Sequence, residues 1–435
     1  MAATDPRTII ESAPMSRFQW GMVATMVGLN ALDGFDVLSI SFASPGIATA
    51  WGIDRAALGF VLSMELIGMA IGSLILGGVA DRIGRRATIL SCLVVMACGM
   101  FGASTAHDVT TLSAWRVLTG LGIGGMLAAT NAAVAEAANV KRRALCVVLM
   151  AGGYPVGSVI GGSISAVLLA RYDWPAVFVF GSIATLCFIP LVLWRAPESI
   201  AFLMHKRPAD ALARINATLA RMGHPTIDAL PDPEPKPAKV PLAELFAPTL
   251  SRATILLTLA YLTHIMTFYF ILKWIPKIVV DMGFPPSMAA GVLVWASVGG
   301  ASGSLVLGLL TARVRLFSLT IAAMILSTLL VIAFGQGQSD LAGLSTIAAL
   351  TGFVTNAGVV GLYALVAQTF PTSVRATATG FVIGVGRGGS ALAPALAGLL
   401  FAAGYGLSAV ALLMALGSTV AACALLGMRR QAVAA

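Results

Sequence analysis

Two aspartates lie three residues apart inside an otherwise apolar stretch, residues 18–44. On a helix, Asp33 and Asp36 share one face, with Asn30 one turn before them. An acid at the centre of a bilayer costs about 2.5 to 3.5 kcal/mol on insertion scales, so it is rarely kept without a cavity, a partner or a function. Because two close like charges oppose double ionisation, the pair predicts a site that binds a proton. The alternative is a pair neutralised by a neighbouring cation purely for helix packing.

Two arginines in other apolar stretches are candidates for holding a carboxylate, because a guanidinium can bind one through two parallel hydrogen bonds. Arg387 lies in a glycine-rich segment, residues 384–389, whose bare backbone leaves room for a ligand or a close helix crossing. Arg116 lies near the end of its stretch. Each has an alternative role: Arg387 in a buried ion pair between helices, and Arg116 in snorkelling to the membrane interface.

Four more side chains in apolar stretches could line a central cavity. His264 could relay protons, because the ordinary pKa of histidine is near neutral, although a lone histidine is more often a hydrogen-bonded core residue. Tyr269 and Trp274 could stack on an aromatic ring, or could serve packing and the interface belt. Glu65 lies on the same helix face as the glycines that follow it, the face that packs inward.

No sequence pattern indicates catalysis or a metal site. A Walker loop, an HExxH motif and a Ser/His/Asp arrangement are all missing from the basic loops, so we expect no enzyme and no cofactor other than protons. The cysteines lie in or beside apolar runs without a CxxC pair, which predicts neither a metal site nor a disulfide framework. They are Cys92, Cys98, Cys146, Cys187 and Cys423.

Composition places these residues in a membrane. The 435 residues are 58% hydrophobic and 10% charged, against roughly 25% charged in soluble proteins. The net charge of +9 does not indicate nucleic acid binding, because the basic residues gather between apolar runs rather than on one compact domain. The first 17 residues lack an apolar core, so we expect no cleavable signal peptide.

The apolar runs predict an all-α membrane protein of twelve transmembrane helices in two pseudo-symmetric six-helix bundles. We expect bundles at 1–195 and 252–435, joined by a connector at 196–251 that holds an amphipathic helix and a proline-rich tether. Basic loops cluster on the side of the N terminus, which predicts cytoplasmic termini in a bacterial inner membrane. The predicted spans are 18–42, 55–80, 86–105, 109–134, 143–169, 173–195, 252–280, 287–311, 315–335, 341–368, 374–402 and 405–427.

An internal repeat supports the two bundles. A shift of 232 positions aligns Val134-Ala-Glu136 with Val366-Ala-Gln368 and Arg143 with Arg375, although short apolar segments can agree by chance. Duplicated bundles place their substrate between the halves, near the midplane of the bilayer, and rock about it.

A loop between the second and third spans combines small residues, an acid and several arginines, which suits a latch at a moving interface. We expect Glu136 to pair with Arg82 or Arg142 in this latch, near Arg143, with proton carriage as the less favoured role. The segment resembles the loop signature of the major facilitator superfamily. It reads Gly77-Gly78-Val79-Ala80-Asp81-Arg82-Ile83-Gly84-Arg85-Arg86.

Three short segments narrow the resemblance to the aromatic acid:proton symporters of that superfamily. They are Asp33-Gly34-Phe35-Asp36, Trp274-Ile-Pro276 and Pro197-Glu198-Ser199-Ile200. Two features depart from the pattern: the second-half counterpart of the latch, 308–315, lacks the acid, and Lys273 is an unexpected charge beside Trp274.

The resemblance implies import of a small, benzoate-like organic anion with protons, by a chain that we expect to work as a monomer in the lipid bilayer. Asp33 or Asp36 would carry the proton, and Arg387, with Arg116, would hold the carboxylate. A proton-driven exporter of drugs or metabolites shares these features. A transport-dead sensor is the remaining alternative, less favoured because the connector is too proline-broken for an output domain.

Overall fold

The computed structural model describes residues 5–231, 241–338 and 340–432. In these ranges the chain is helical without a β-strand, and twelve helices are long and apolar enough to cross a membrane. The predicted all-α fold is confirmed, and the helices are called span 1 to span 12. Their bounds are Arg17–Trp51, Arg55–Ile83, Arg85–Ser104, Val109–Ala137, Val140–Leu169, Pro175–Arg195, Ser251–Asp281, Pro286–Leu310, Leu316–Gly335, Leu341–Thr369, Thr372–Ala402 and Leu407–Ala432.

Span 1 is longer than the sequence predicts, because it ends at Trp51 rather than at residue 42. Pro45 lies inside the helix and is accommodated there, with the Thr49 hydroxyl donating to its carbonyl oxygen at 3.0 Å. The helix stops at Gly52, whose positive φ of 60° closes the end in the left-handed conformation that glycine adopts without strain.

Polar caps fix where several spans begin. The side chains of Asp54, Asp108 and Asp340 accept hydrogen bonds from the backbone N–H groups three residues on, at the starts of spans 2, 4 and 10. Asn139 caps span 5 in the same way. Such caps satisfy N–H groups that have no partner inside the helix, so they set the ends of helices that apolar periodicity alone leaves undefined.

The internal repeat extends to whole helices. Spans 4 and 10 are both 29 residues long and begin 232 positions apart. Gly68 and Gly72 of span 2 pack against the backbone of span 4, and Gly299 and Gly303 of span 8 pack against span 10 in the same way. The two sets of six helices therefore use the same small-residue crossing at matching places.

We call the end of the bundle with the arginine-rich loops the basic end, and the other the opposite end. At the opposite end the two sets meet: Arg55 pairs with Asp281 at 2.9 Å, and the backbone of Gly59 packs directly against Gly398. Ser63 also accepts a hydrogen bond from the N–H of Ala395 at 3.0 Å.

At the basic end, none of the hydrogen bonds or ion pairs between described residues joins spans 1–6 to spans 7–12. Gly380, Gly384 and Gly388 of span 11 have no neighbouring atom within 4 Å of where a Cβ would lie. In the described part of the chain, the two sets are thus in contact at the opposite end, whereas span 11 borders open space in its basic half.

The segment after span 6 covers the basic ends of spans 1 and 4. Its helix Ala211–Met222 turns Ile215, Leu219 and Met222 toward Met22 and Ala137. The proline-rich tether, apart from Pro231, lies outside the described residues.

Candidate substrate and proton site

The acid pair lies in the middle of span 1, with Asp33 only 2% exposed and Asp36 fully buried. None of the four carboxylate oxygens has a hydrogen-bond partner. The packing of span 1 on span 5 fixes this face, since Asn30 donates to the Met150 carbonyl at 2.7 Å and Gly34 lies against the Tyr154 backbone. An ionised carboxylate without donors is costly in such a place, so the pair is a site where a proton can be held.

Arg116 lies beside the acid pair and not at the membrane interface. It is 0% exposed and forms an ion pair with Glu65. Its Nη2 also donates to the backbone carbonyl of Asp36 at 3.0 Å, and its guanidinium lies 5.3 Å from the centroid of the Phe178 ring. Snorkelling is therefore not its role, and in this conformation its charge is directed at a carboxylate of the protein.

Glu65 is shared between two cations. Its Oε2 lies 3.3 Å from Nζ of Lys273, which also donates to the backbone carbonyl of Val37, and all three ionised side chains are 0% exposed. We call Asp33, Asp36, Glu65, Arg116 and Lys273 the buried charge cluster. The sequence does not reveal the pairing of Glu65 with Lys273; the available signal was that two opposite lone charges in apolar helices need partners.

Arg387 has a different environment. Its side chain is partly exposed and its Nη1 donates to the Met69 carbonyl at 3.4 Å, without an acidic partner among the described residues. Tyr261 packs on the neighbouring Gly386, and its hydroxyl lies 2.9 Å from that of Tyr363. Gly384 and Gly388, three residues before and directly after Arg387, have no atom within 4 Å of where a Cβ would lie, so Arg387 borders open space on that side of span 11.

The two aromatic candidates, Tyr269 and Trp274, have different environments. Tyr269 is partly buried in span 7 and interacts with Tyr154 of span 5, so it bridges the two sets of helices near Arg387. Trp274 is 1% exposed and donates its indole N–H to the Pro394 carbonyl at 3.2 Å, toward the opposite end. Its ring packs against Phe401 and is not available to a ligand in this conformation.

His264 is fully buried between spans of the second set. Its Nε2–H donates to the Thr355 carbonyl at 2.9 Å, and its Nδ1 lies 2.9 Å from the Ser418 hydroxyl. Both ring nitrogens are therefore occupied, which is the arrangement of a hydrogen-bonded core histidine.

The latch at the basic end centres on Arg85. It pairs with Asp81 at 3.0 Å and with Glu136 at 3.2 Å. The prediction that Glu136 pairs with Arg82 or Arg142 is wrong, because its partner is Arg85. Arg85 follows the turn at Gly84, whose φ is 103°, and its side chain contacts both acids.

Other members of the latch segment lie apart from that pairing. Arg143 pairs with Glu11 at 2.8 Å, Arg82 is exposed, and Gly77 lies within span 2. Arg86 donates to the Leu193 carbonyl at 2.8 Å, which ties the start of span 3 to the end of span 6.

Glu198 is a further member that the latch prediction did not include. It is buried at the start of span 3 and accepts from the backbone N–H groups of Arg85 at 2.8 Å and Arg86 at 3.3 Å. A carboxylate at a helix N-terminus is stabilised by the unpaired N–H groups and the helix dipole. The sequence feature that could have indicated this role of Glu198 is the Pro197-Glu198-Ser199 segment. The Ser199 hydroxyl in turn donates to Glu136. All of these contacts lie between residues 11 and 199, on the side of spans 1–6.

Twelve apolar helices in two matching sets define a multi-pass membrane protein. The structure resembles the D-xylose–proton symporter with a TM-score of 0.69 at 18% identity, covering 92% of this chain and 97% of that one. It also resembles a bacterial homolog of the human lysosomal transporter Spinster, with a TM-score of 0.72 at 14% identity over 96% of this chain and 98% of that one.

The family model of the Major Facilitator Superfamily matches residues 26–340. The chain belongs to this superfamily. It is 30% identical to the 3-(3-hydroxy-phenyl)propionate transporter of Escherichia coli, over 90% of this chain and 89% of that protein. It is 29% identical to the gallate transporter of Pseudomonas putida (98% and 95%) and to a 4-hydroxybenzoate transporter of Pseudomonas aeruginosa (97% and 95%). The resemblance to aromatic acid transporters is thus confirmed across nearly the whole chain, and the chain is a transporter.

Proposed function

We propose that this protein imports a small aromatic carboxylate together with protons by alternating access. The observation that carries the proposal is the presence, inside the spans, of a carboxylate pair without hydrogen-bond donors and of a guanidinium without an acidic partner among the described residues. The names of the relatives, which include gallate, 4-hydroxybenzoate and hydroxyphenylpropionate transporters, support an aromatic acid as cargo.

Charge supplies the reason for proton coupling. A membrane potential that is negative inside opposes an entering anion by about 2.3 kcal/mol per charge per 100 mV. One proton per carboxylate removes this term, and a second proton lets the potential drive uptake. Asp33 and Asp36 are the groups that we propose for the proton, because no donor in the described part of the chain stabilises their charged forms.

The substrate site that we propose lies among spans 5, 7 and 11. Arg387 binds the carboxylate. The hydroxyls of Tyr269 and Tyr154 form hydrogen bonds with a phenol of the substrate, or their rings pack on its ring. Arg116 acts indirectly in this proposal, since its guanidinium is engaged by Glu65.

The basic end is the cytoplasmic end in this proposal, by the positive-inside rule, with both termini inside a bacterial inner membrane. The conformation is then inward-open and outward-closed. Residues 1–195 and 252–435 are the two rocking bundles, and a monomer contains the complete pathway.

Uptake into proteoliposomes tests this function. Labelled 4-hydroxybenzoate, gallate and an aliphatic acid of similar size are supplied at two external pH values with a fixed internal pH. We expect uptake of the aromatic acids that increases with an inward proton gradient. Transport that requires the opposite gradient would identify an exporter, and equal uptake at both pH values would exclude proton coupling.

A further inference from the structure

Lys273 belongs to the second bundle, yet its ammonium group lies inside the first. Both of its partners, the Glu65 carboxylate and the Val37 carbonyl, are first-bundle groups, and the lysine is 0% exposed. Span 7 reaches this position because the bundles are in contact at the opposite end, through Arg55 with Asp281 and Gly59 with Gly398. If that end opened, the bundles would separate there, and Lys273 would move away from its first-bundle partners together with span 7.

The charges of the cluster balance only with one proton. Arg116 and Lys273 supply two positive charges, whereas the three carboxylates supply three negative charges when all are ionised. With Lys273 present, the cluster is neutral when the aspartate pair shares one proton. With Lys273 withdrawn, Glu65 neutralises Arg116, and the pair needs two protons to be neutral. Uncompensated buried charge is costly, so the two conformations differ by one bound proton.

The other titratable groups around the pair do not alter this balance. Cys92 of span 3 and Tyr154 of span 5 are close enough to Asp33 to feel its charge, and both are neutral in their protonated forms. Span 8 contains no titratable residue, and those of span 6 are Cys187, which is exposed on the outside of the bundle, and Arg195 at its basic end.

We propose that Lys273 is the positioning residue that couples proton transfer to the rocking motion. In the outward-open state its absence lets the aspartate pair take up a second proton. When the outer end closes, its ammonium enters the cluster and compensates one carboxylate, whose O–H proton passes to water on the open cytoplasmic side. The proposal rests on proton-coupled import. It assigns the release of the proton, the step that drives the cycle, to a lysine outside the acid pair.

The test compares two kinds of transport in proteoliposomes. Net uptake of labelled 4-hydroxybenzoate driven by a proton gradient needs proton release in every cycle. Counterflow, in which unlabelled substrate inside exchanges for labelled substrate outside, does not need net proton release. For Lys273→Gln we expect gradient-driven uptake to fall about tenfold or more while counterflow stays within about threefold. Lys273→Arg keeps the charge and should retain gradient-driven uptake within about threefold.

Lys277→Gln is the matched control, because it removes the same charge one turn further along span 7 and leaves Asp281 paired with Arg55. We expect both modes of transport to stay within about twofold of the parent protein. The inference is overturned if Lys273→Gln retains gradient-driven uptake, if it loses counterflow equally, or if Lys273→Arg fails as severely as Lys273→Gln. A parent protein whose uptake ignores the proton gradient would instead overturn the proposed function itself.

Discussion

The carboxylates of Asp33 and Asp36 have no hydrogen-bond donor, whereas the other buried acids of the described chain, Glu65 and Glu198, each have at least one. Asp54, Asp108 and Asp340 cap helices, and each accepts a backbone N–H. A capped acid is held in its charged form by that hydrogen bond, whereas an uncapped, buried acid can exchange between charged and neutral forms as its neighbours move. The absence of a hydrogen bond to either carboxylate is therefore the physical property that distinguishes the pair.

Replacement of either acid tests this property. Asp36→Asn and Asp33→Asn keep the shape of the side chain and remove its titration, so we expect gradient-driven uptake to fall by about 100-fold in at least one variant. Uptake in proteoliposomes with and without a proton gradient measures the change. Asp228→Asn, in the exposed connector, is the control. Full gradient-driven uptake in both variants would exclude the pair from proton coupling.

Arg387 allows a second test at this scale. Loss of hydrogen bonds to a charged group costs about 1.5 to 3 kcal/mol, so Arg387→Gln should raise the KM for aromatic acids by roughly 10- to 100-fold. Arg387→Lys keeps the charge without the planar fork and should give a smaller increase. Initial rates across substrate concentrations measure KM, with exposed Arg313→Gln as the control. An unchanged KM in Arg387→Gln would place the carboxylate elsewhere.

Individual residues were predictable where their own chemistry was unusual for their surroundings. The acid pair and Arg387 stand out because a charged group inside an apolar run is costly wherever the helix lies. The partners of Glu65, Arg85 and Glu198 were not predictable in the same way. The pairs Glu65–Arg116, Arg85–Glu136 and Arg85–Glu198 join residues more than 50 positions apart in the chain, and only the packing of several helices brings them together.

At the scale of elements, close helix crossings fix how the spans pack. The stripe of small residues in span 5 predicts close packing, and Gly153 and Gly157 lie against backbone carbonyls of span 1. This crossing holds Asn30 and Gly34 against span 5, so the acid pair, on the same helix, is held in a fixed position beside it. Helix ends were less predictable, as span 1 shows, because a buried proline and a glycine cap decided its length.

The crossing of spans 1 and 5 gives a matched pair of glycine substitutions. A Cβ at Gly157 would overlap the Ala31 carbonyl, so Gly157→Ala should destabilise the protein by about 1 to 3 kcal/mol and lower uptake. Gly152→Ala, in the same helix, meets no atom within 4 Å and should leave both unchanged. Thermal unfolding in detergent measures the difference. Equal unfolding temperatures for the two variants would contradict the close approach of Gly157 to span 1.

Alternation between two conformations is a property of the whole molecule. Composition, the twelve apolar runs and the internal repeat predict the all-α fold, because each of these features is local or periodic. They do not predict which end is closed, since one sequence must be compatible with both states and the free energies of the two states differ little. The closed opposite end is visible only in the three-dimensional arrangement.

The outer ion pair provides a test of that arrangement. Arg55 and Asp281 are partly exposed, so their pairing contributes only about 0.2 to 1 kcal/mol to the closed state. Asp281→Asn should therefore raise the outward-open population by roughly 1.4- to 5-fold.

A thiol introduced by Ser63→Cys reports this population, because Ser63 is buried in the closed seam. Its labelling rate by a membrane-impermeant maleimide should increase in the Asp281→Asn background. Asp173→Asn, an exposed change at the same end, is the control. Labelling that is equally slow in all backgrounds would mean that Asp281 does not help to keep this end closed.

Where Gly59 meets Gly398, bare main chain touches bare main chain. Neither glycine has a side chain that interdigitates with the other helix. Separation of the two helices at this point therefore needs no rotamer change and loses little dispersion energy. Such a smooth contact favours rapid, repeated opening at this point of the seam.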